Sequence, residues 1–171
     1  MAKIILTIID PEKYFGSLIR ILKKEVKNKK VIYVTTNKPY EHIATILKKR
    51  KILYNKFFFI DCISKYVGQK IEEELQNCLL LESPQSLTNL SIAINESIKK
   101  IPGKKILFLD SLSMLLIYND APTLGKFSNF IINKMRSYDV DTVILTLESD
   151  VNKDIIKQLE SFVDEVIKYG S

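Results

Sequence analysis

Ile106-Leu107-Phe108-Leu109 runs straight into Asp110, and Ser111, Leu112 and Ser113 follow. Apolar residues that end in an acid are expected of a buried strand delivering one carboxylate to the edge of a sheet. A carboxylate placed there can orient the water shell of a phosphate-bound Mg²⁺. The element that would hold the phosphates is a glycine-rich turn, G-x-x-x-x-G-K-[ST], between a first strand and a first helix. No such stretch occurs, and glycine is confined to positions 16, 68, 103, 125 and 170. Backbone approaches a phosphate closely only where side chains are absent, so this scarcity argues against a phosphate-cradling loop.

Other chemistry has less support. Ser111 and Ser113 have no histidine near them in sequence, and the chain's single histidine, His42, sits on a lysine-rich segment beside Ile43. An ordinary, half-exposed histidine is expected there rather than a member of a nucleophilic triad. Cys62 and Cys78 adjoin apolar runs and, with one histidine in the chain, form no zinc constellation. Buried, reduced thiols are expected. Lys48-Lys49-Arg50-Lys51, followed by Tyr54 and Lys56, is the densest basic stretch. It suits contact with nucleic-acid phosphates, and it equally suits the C-terminus of a solvated helix, where the dipole favours cations. Phe57 to Phe59 is expected to be buried strand rather than a base-stacking platform. Glu72, Glu73 and Glu74 are a charge run of the kind a solvated helix face carries.

These residues sit in a chain of 171, the length of one domain, residues 1–171, with room for a real core. Nearly half the residues are apolar and about a quarter are charged, as in ordinary globular proteins. The net charge of +6 permits an acidic partner without requiring one. The longest apolar run, around Leu112 to Tyr118, is far too short to span a membrane. Met1-Ala2-Lys3 leads directly into a strand pattern without signal-peptide architecture, so a cytoplasmic location is expected.

The elements that must position the chemistry alternate. Strands are expected at Ile4–Ile9, Val31–Thr36, Phe57–Asp61, Cys78–Leu81, Lys105–Asp110, Thr142–Leu147 and, as a closing edge, Val163–Tyr169. Asp10-Pro11 starts a helix with Tyr14, Phe15, Leu18, Ile19, Leu22 and Val26 at helical spacing. Further helices carry Tyr40, Ile43, Ala44 and Leu47; Leu87, Leu90, Ile94, Ile98 and Ile101; Leu124, Phe127, Ile131, Met135 and Tyr138; and Val151, Ile155, Leu159 and Phe162. The segment from Ile71 to Leu75 is also expected to be helical. Such alternation implies an α/β fold, a mostly parallel sheet with helices on both faces. Ligands in such sheets lie beyond the carboxyl ends of the strands. Polar clusters fall at four of those ends: Asp10 to Glu12, Thr35 to Lys38, Asp110-Ser111, and Thr146 with Glu148.

From Cys78 onward the pattern is more specific. Ser83-Pro84, Leu87-Thr88-x-Leu90-Ser91-Ile92-Ala93-Ile94, Phe108-Leu109-Asp110-Ser111-Leu112-Ser113 and Leu116-Ile117-Tyr118-Asn119 resemble the RecA-superfamily ATPases of the KaiC type, particularly archaeal ones. Phe127 to Met135, Val143 to Glu148 and Phe162 to Ile167 fit the same resemblance. It implies a three-layer RecA-like fold of the P-loop NTPase kind and puts Asp110 where that family places its Mg²⁺-orienting aspartate. The loop departs from the pattern. Laid over it, Asp10 to Ser17 put Asp10 and Phe15 at the two glycines, Gly16 at the lysine, and only Ser17 on a permitted type. Asn37 and Lys38 stand where the family tends to carry a water-activating glutamate, and neither can act as a carboxylate base.

The expected protein is therefore a non-catalytic RecA-like domain with a regulatory or scaffold role, acting through a protein partner or self-association, with no cofactor. An alternative is an atypical nucleotide-binding protein that holds Mg-ATP with Lys13, Ser17, Asp110 and Ser111, Asp110 being a metal ligand in that case only. A second alternative is a nucleic-acid-binding accessory protein, motivated by Lys23, Lys24, Lys27, Lys29 and Lys30 and by the contacts that Lys48, Lys49, Arg50 and Lys51 could make. If Asp110 serves neither reading, its expected role is to cap the following turn by accepting backbone N–H groups.

Overall fold

The computed structural model describes residues 1–52, 54–71 and 75–170. The helix and charge run expected around Glu72 to Glu74 lie outside the described residues.

Seven strands form one sheet: β1 (Ile4–Ile9), β2 (Lys30–Thr35), β3 (Phe57–Asp61), β4 (Cys78–Leu80), β5 (Lys105–Asp110), β6 (Asp141–Leu147) and β7 (Glu165–Tyr169). The spatial order is β4-β3-β2-β5-β6-β1-β7, and every neighbouring pair is parallel. Parallel neighbours cannot be joined by hairpins, so each connection must cross a face of the sheet. The crossing helices are α1 (Tyr14–Glu25), α2 (Tyr40–Lys49), α3 (Leu87–Lys100), α4 (Ala121–Ser137) and α5 (Lys153–Glu160).

The alternation of side chains along a strand splits the core in two. In β5, Leu107 and Leu109 face α3, α4 and α5, packing with Ile94, Phe127, Ile131 and Leu159. Ile106 and Phe108 face α1 and α2, packing with Leu18, Leu22, Ile43 and Leu47. Three layers result, as expected of an α/β sheet covered on both faces.

Two helix boundaries differ from the apolar pattern. The fourth helix begins at Ala121, ahead of Leu124, because Asp120 caps it by accepting the Thr123 N–H at 2.8 Å and Pro122 suits a first turn. Val151 does not share the apolar face of the last helix. It lies in a 3-10 turn, Asp150–Asn152, and is 84% exposed. The two cysteines are free and buried, as expected. Burial pushes the Cys62 thiol up to about 12 and raises that of Cys78 as well.

Candidate functional site

The chain steps towards one edge of the sheet from β1 through β4 and towards the other from β5 through β7, so β2 and β5 are neighbours whose outgoing connections run in opposite directions. Beyond the carboxyl ends of β1, β2 and β5 lies a cleft of about 370 Å³, at the kind of switch point where open α/β sheets bind ligands. It gathers three of the four polar clusters. Lys13 and Glu12 come from the first turn, Thr35, Asn37 and Lys38 from the end of β2, and Asp110 and Ser111 from the end of β5. The fourth cluster does not join them. Thr146 is buried and donates to the Thr7 carbonyl at 2.7 Å, while Glu148 lines a separate surface cleft with Lys153 and Lys157.

The first turn is a 3-10 turn, Pro11–Lys13, that leads directly into α1. Pro11 has no N–H to offer, and the Asp10 carboxylate accepts the Glu12 N–H at 3.0 Å. The Lys13 N–H goes to the Asp10 carbonyl, also at 3.0 Å. The backbone donors of this turn are thus used within it. Lys13 Nζ donates to the Gly170 carbonyl at 2.7 Å, which ties the turn to the end of β7. Gly170 has φ +97°, and an added Cβ would stand 2.7 Å from the Cβ of Asp10. Only glycine fits that approach without strain. The ring of Phe15 lines the cleft, and Lys38 Nζ lies 5.1 Å from its centroid. Ser17, by contrast, is buried on α1 and does not line the cleft, because the tight turn places Gly16 at the opening instead.

Asp110 is buried at the end of β5, and its Oδ2 accepts the hydroxyl of Tyr33 on β2. Burial pushes its carboxyl up to about 8, so it is mostly protonated at neutral pH. The expected capping role falls to another acid. Asp61, at the end of β3, accepts the N–H groups of Tyr40, Ile63 and Ser64 at 2.8–2.9 Å and the Ser64 hydroxyl as well. It therefore caps the start of α2 and closes its own turn. No backbone N–H reaches the Asp110 carboxylate among the described residues.

The peptide between Asp110 and Ser111 is cis. Thr36 bridges β2 and β5 around it: its N–H reaches the Asp110 carbonyl at 2.9 Å, and its Oγ1 accepts the Ser111 N–H at 3.1 Å. Among the described residues, Ser111 Oγ is buried without a hydrogen-bond partner, and it belongs to the cleft wall. Ser113 is occupied structurally, accepting the Leu147 N–H at 3.0 Å. Tyr33 and Gly170 complete this site although no sequence pattern marks them, whereas Thr36 falls within the Thr35 to Lys38 cluster.

The residues present fit a Mg²⁺-nucleotide poorly. A metal-orienting aspartate must be an anion open to the metal's water shell, whereas Asp110 is buried, its carboxyl is pushed up to about 8, and its Oδ2 accepts the Tyr33 hydroxyl. Lys13 is held by a carbonyl, and Glu12 adds negative charge at the rim. His42 is exposed, with its ring 5.7 Å from that of Phe15. Of the basic stretch, Lys48 and Lys49 end α2, while Lys51 and Lys56 line a cleft at the opposite end of α1 from Lys13. Among the described residues, no group of three or more His, Cys, Asp or Glu side chains could hold a metal ion, and no helix is long and apolar enough to cross a membrane.

Solved structures share this architecture. A KaiC-like protein, PH0186, from the hyperthermophilic archaeon Pyrococcus horikoshii OT3 matches with a TM-score of 0.64 at 13% identity, over 97% of this chain and 70% of that one. A second P. horikoshii protein, PH0250, matches with a TM-score of 0.66 at 14% identity, over 99% and 82%. A structure described as an ATPase domain matches with a TM-score of 0.54 at 16% identity, over 97% and 68%. The fold is thus that of KaiC-like proteins and RecA-type ATPase domains. No curated protein matches in sequence. One family, described as a family of unknown function (DUF7504), matches residues 20–169.

Proposed function

The chain belongs to this family of unknown function, DUF7504, so its role has to be argued from its own site, and we propose a RecA-like domain that regulates or scaffolds an assembly rather than hydrolysing nucleotides. The observation that supports this is the state of Asp110. In phosphoryl transfer the protein contributes chiefly positioning and electrostatic stabilisation. Here the acid at the metal-orienting place is buried and accepts the Tyr33 hydroxyl, and burial pushes its carboxyl up to about 8. Asn37 and Lys38 at the end of β2 add no carboxylate base.

One observation favours a second reading, nucleotide binding without turnover. The unpartnered Ser111 hydroxyl lines a cleft that Lys13 and Lys38 also line, and a buried polar atom without a partner is costly unless a ligand satisfies it.

Thermal unfolding with and without millimolar Mg-ATP or Mg-ADP, paired with a phosphate-release assay, decides between these. A ligand at a hundredfold its dissociation constant adds about 2.7 kcal/mol, which for a domain of this size raises Tm by roughly 5–10 °C. Neither a rise nor phosphate release is expected under the first reading. A rise without release selects the second, and sustained release overturns both. Sedimentation from low to high micromolar protein tests the assembly role, which a strict monomer with no co-purifying partner would contradict.

A further inference from the structure

Two lysine stretches that lie apart in sequence meet in space. The parallel sheet makes α1 and α2 run back to the amino ends of the strands, so both helices end beside the start of β3. Lys23, Lys27, Lys51 and Lys56 line one cleft there. Arg20, Lys23, Lys24 and Lys168 line a second cleft, between α1 and the edge strand β7. Lys23 belongs to both, so the two form one track, along the flank of α1 and under its C-terminus. Among the described residues, seven cationic side chains and no carboxylate line it, although Lys168 also borders the cleft that Glu148 and Glu160 line, and it shares no residue with the cleft at Asp110.

The helix dipole accounts for little of this. It favours Lys23 and Lys24, which lie in the last turn of α1. Arg20 lies mid-helix, Lys168 is on β7, and Lys56 precedes β3. Lys27 and Lys51 lie beyond the helix ends at φ 49° and 57°. Ion pairing neutralises little of it either. Lys24 meets Glu25 only at 3.8 Å. Among the described residues, none of Lys23, Lys27, Lys51, Lys56 and Lys168 has a carboxylate within ion-pair distance. Like charges held together without counter-charges repel one another, and a polyanion relieves that repulsion.

We infer that this track binds the phosphate backbone of a nucleic-acid strand. The cations are strung along a path rather than gathered at a point, which matches a ligand with one negative charge per nucleotide. Arg20 adds a planar group: its guanidinium carbon stands 5.7 Å from the centre of the Tyr169 ring, at the edge of the track. Guanidinium planes and aromatic rings are surfaces on which unpaired bases stack. An acidic protein segment would use the charges but not that stack. Of the basic residues named in sequence, Lys23, Lys24, Lys27, Lys51 and Lys56 belong to this surface, and Arg20 and Lys168 complete it.

The test is fluorescence anisotropy with a labelled oligothymidylate of about 20 nucleotides on the whole chain, across about 50–200 mM salt. Four to seven phosphate contacts on a single strand give a log–log slope of about −3 to −5. Lys23→Glu with Lys27→Glu is expected to weaken binding at least tenfold, about the effect of 1.4 kcal/mol. Lys65→Glu with Lys126→Glu changes the net charge equally and is expected to leave affinity within about twofold, both lysines being exposed and outside the track. Circular dichroism melts confirm that each variant folds. The inference is overturned by an absence of binding at the lowest salt, by equal losses in the two variants, or by displacement of the oligonucleotide with polyglutamate at matched charge.

Discussion

Tyr33 and Asp110 stand on adjacent strands two residues out of register, and the phenol of one donates to the carboxyl of the other. Tyr33 lies opposite Phe108, and their rings stack 6.1 Å apart. That stacking, with Phe57 and Phe59 also against the Tyr33 ring, holds the hydroxyl beneath Asp110. The acid, at the wall of the cleft, thus has a neutral donor in place of a cation as its partner. Burial is the only cause of its raised pKa.

Stability is therefore expected to fall as pH rises. An unfolded Asp releases its proton near 3.8, whereas folded Asp110 holds its proton to about 8. Between those values the native chain binds one proton more than the unfolded chain, so the free energy of unfolding declines through the window and levels off above it. At about 1.4 kcal/mol per unit, the full difference is roughly 6 kcal/mol. Asp110→Asn removes this term. Urea denaturation from pH 4 to 9 should show the variant gaining on the parent as pH rises; a constant difference between the two would refute the protonated acid.

Tyr33→Phe is expected to cost about 1–3 kcal/mol at neutral pH, the usual penalty for stranding a buried polar group. In the Asp110→Asn background the amide oxygen can accept the same phenol, so a substantial part of the loss should persist there. Guanidinium denaturation of the two single variants and the double variant measures this coupling. No cost of Tyr33→Phe in either background would mean that the phenol is not a partner of the side chain at position 110.

Much of the frame is legible in the sequence because apolar runs of strand length have few alternatives in a short chain with clear helical periods. Asp110 and three of the polar clusters are legible for the same reason, since a strand's end is where its apolar run stops. Tyr33 is not. Within Val31–Thr36 it reads as one more buried residue, and its hydroxyl matters only because β2 lies beside β5, 77 positions along the chain. The tie from Lys13 to Gly170 spans 157 positions and is equally silent in local pattern. Ser17 falls outside the cleft because aligning it with a phosphate loop assumes an open glycine-rich turn, whereas Pro11 and the Asp10 cap tighten this one. The capping acid does carry a local signal: Asp61 and Ser64 have the spacing at which a carboxylate and the N–H three residues on close a turn.

Asp61→Ala should destabilise the fold more than Asp110→Asn does at neutral pH, by about 2–4 kcal/mol. It strands three backbone N–H groups, whereas the other change keeps a neutral, hydrogen-bonding side chain. Asp61→Asn should recover part of the loss, because its one oxygen can still accept. Urea midpoints of the three variants order these effects, and an Asp61→Ala midpoint equal to that of the parent would contradict the capping role.

Lys51 links stability to the basic track. The second helix ends in a paired arrangement in which the Ile52 N–H reaches the Leu47 carbonyl at 2.9 Å and the Lys51 N–H reaches that of Lys48 at 3.1 Å. This closure needs a left-handed residue at position 51, and Lys51 supplies it at φ 57°. A side chain makes that conformation unfavourable by about 1 kcal/mol, which glycine avoids. Lys51→Gly is thus expected to raise stability by about 0.5–1 kcal/mol, or roughly 2–4 °C in Tm. If the track binds nucleic acid, the same change should lower oligonucleotide affinity severalfold and reduce the salt slope by about 0.7, the share of one phosphate contact. A more stable variant with weaker, less salt-dependent binding is the expected pair of results. Unchanged binding in a stabilised variant would remove Lys51 from the track and leave its lysine to helix-end electrostatics alone.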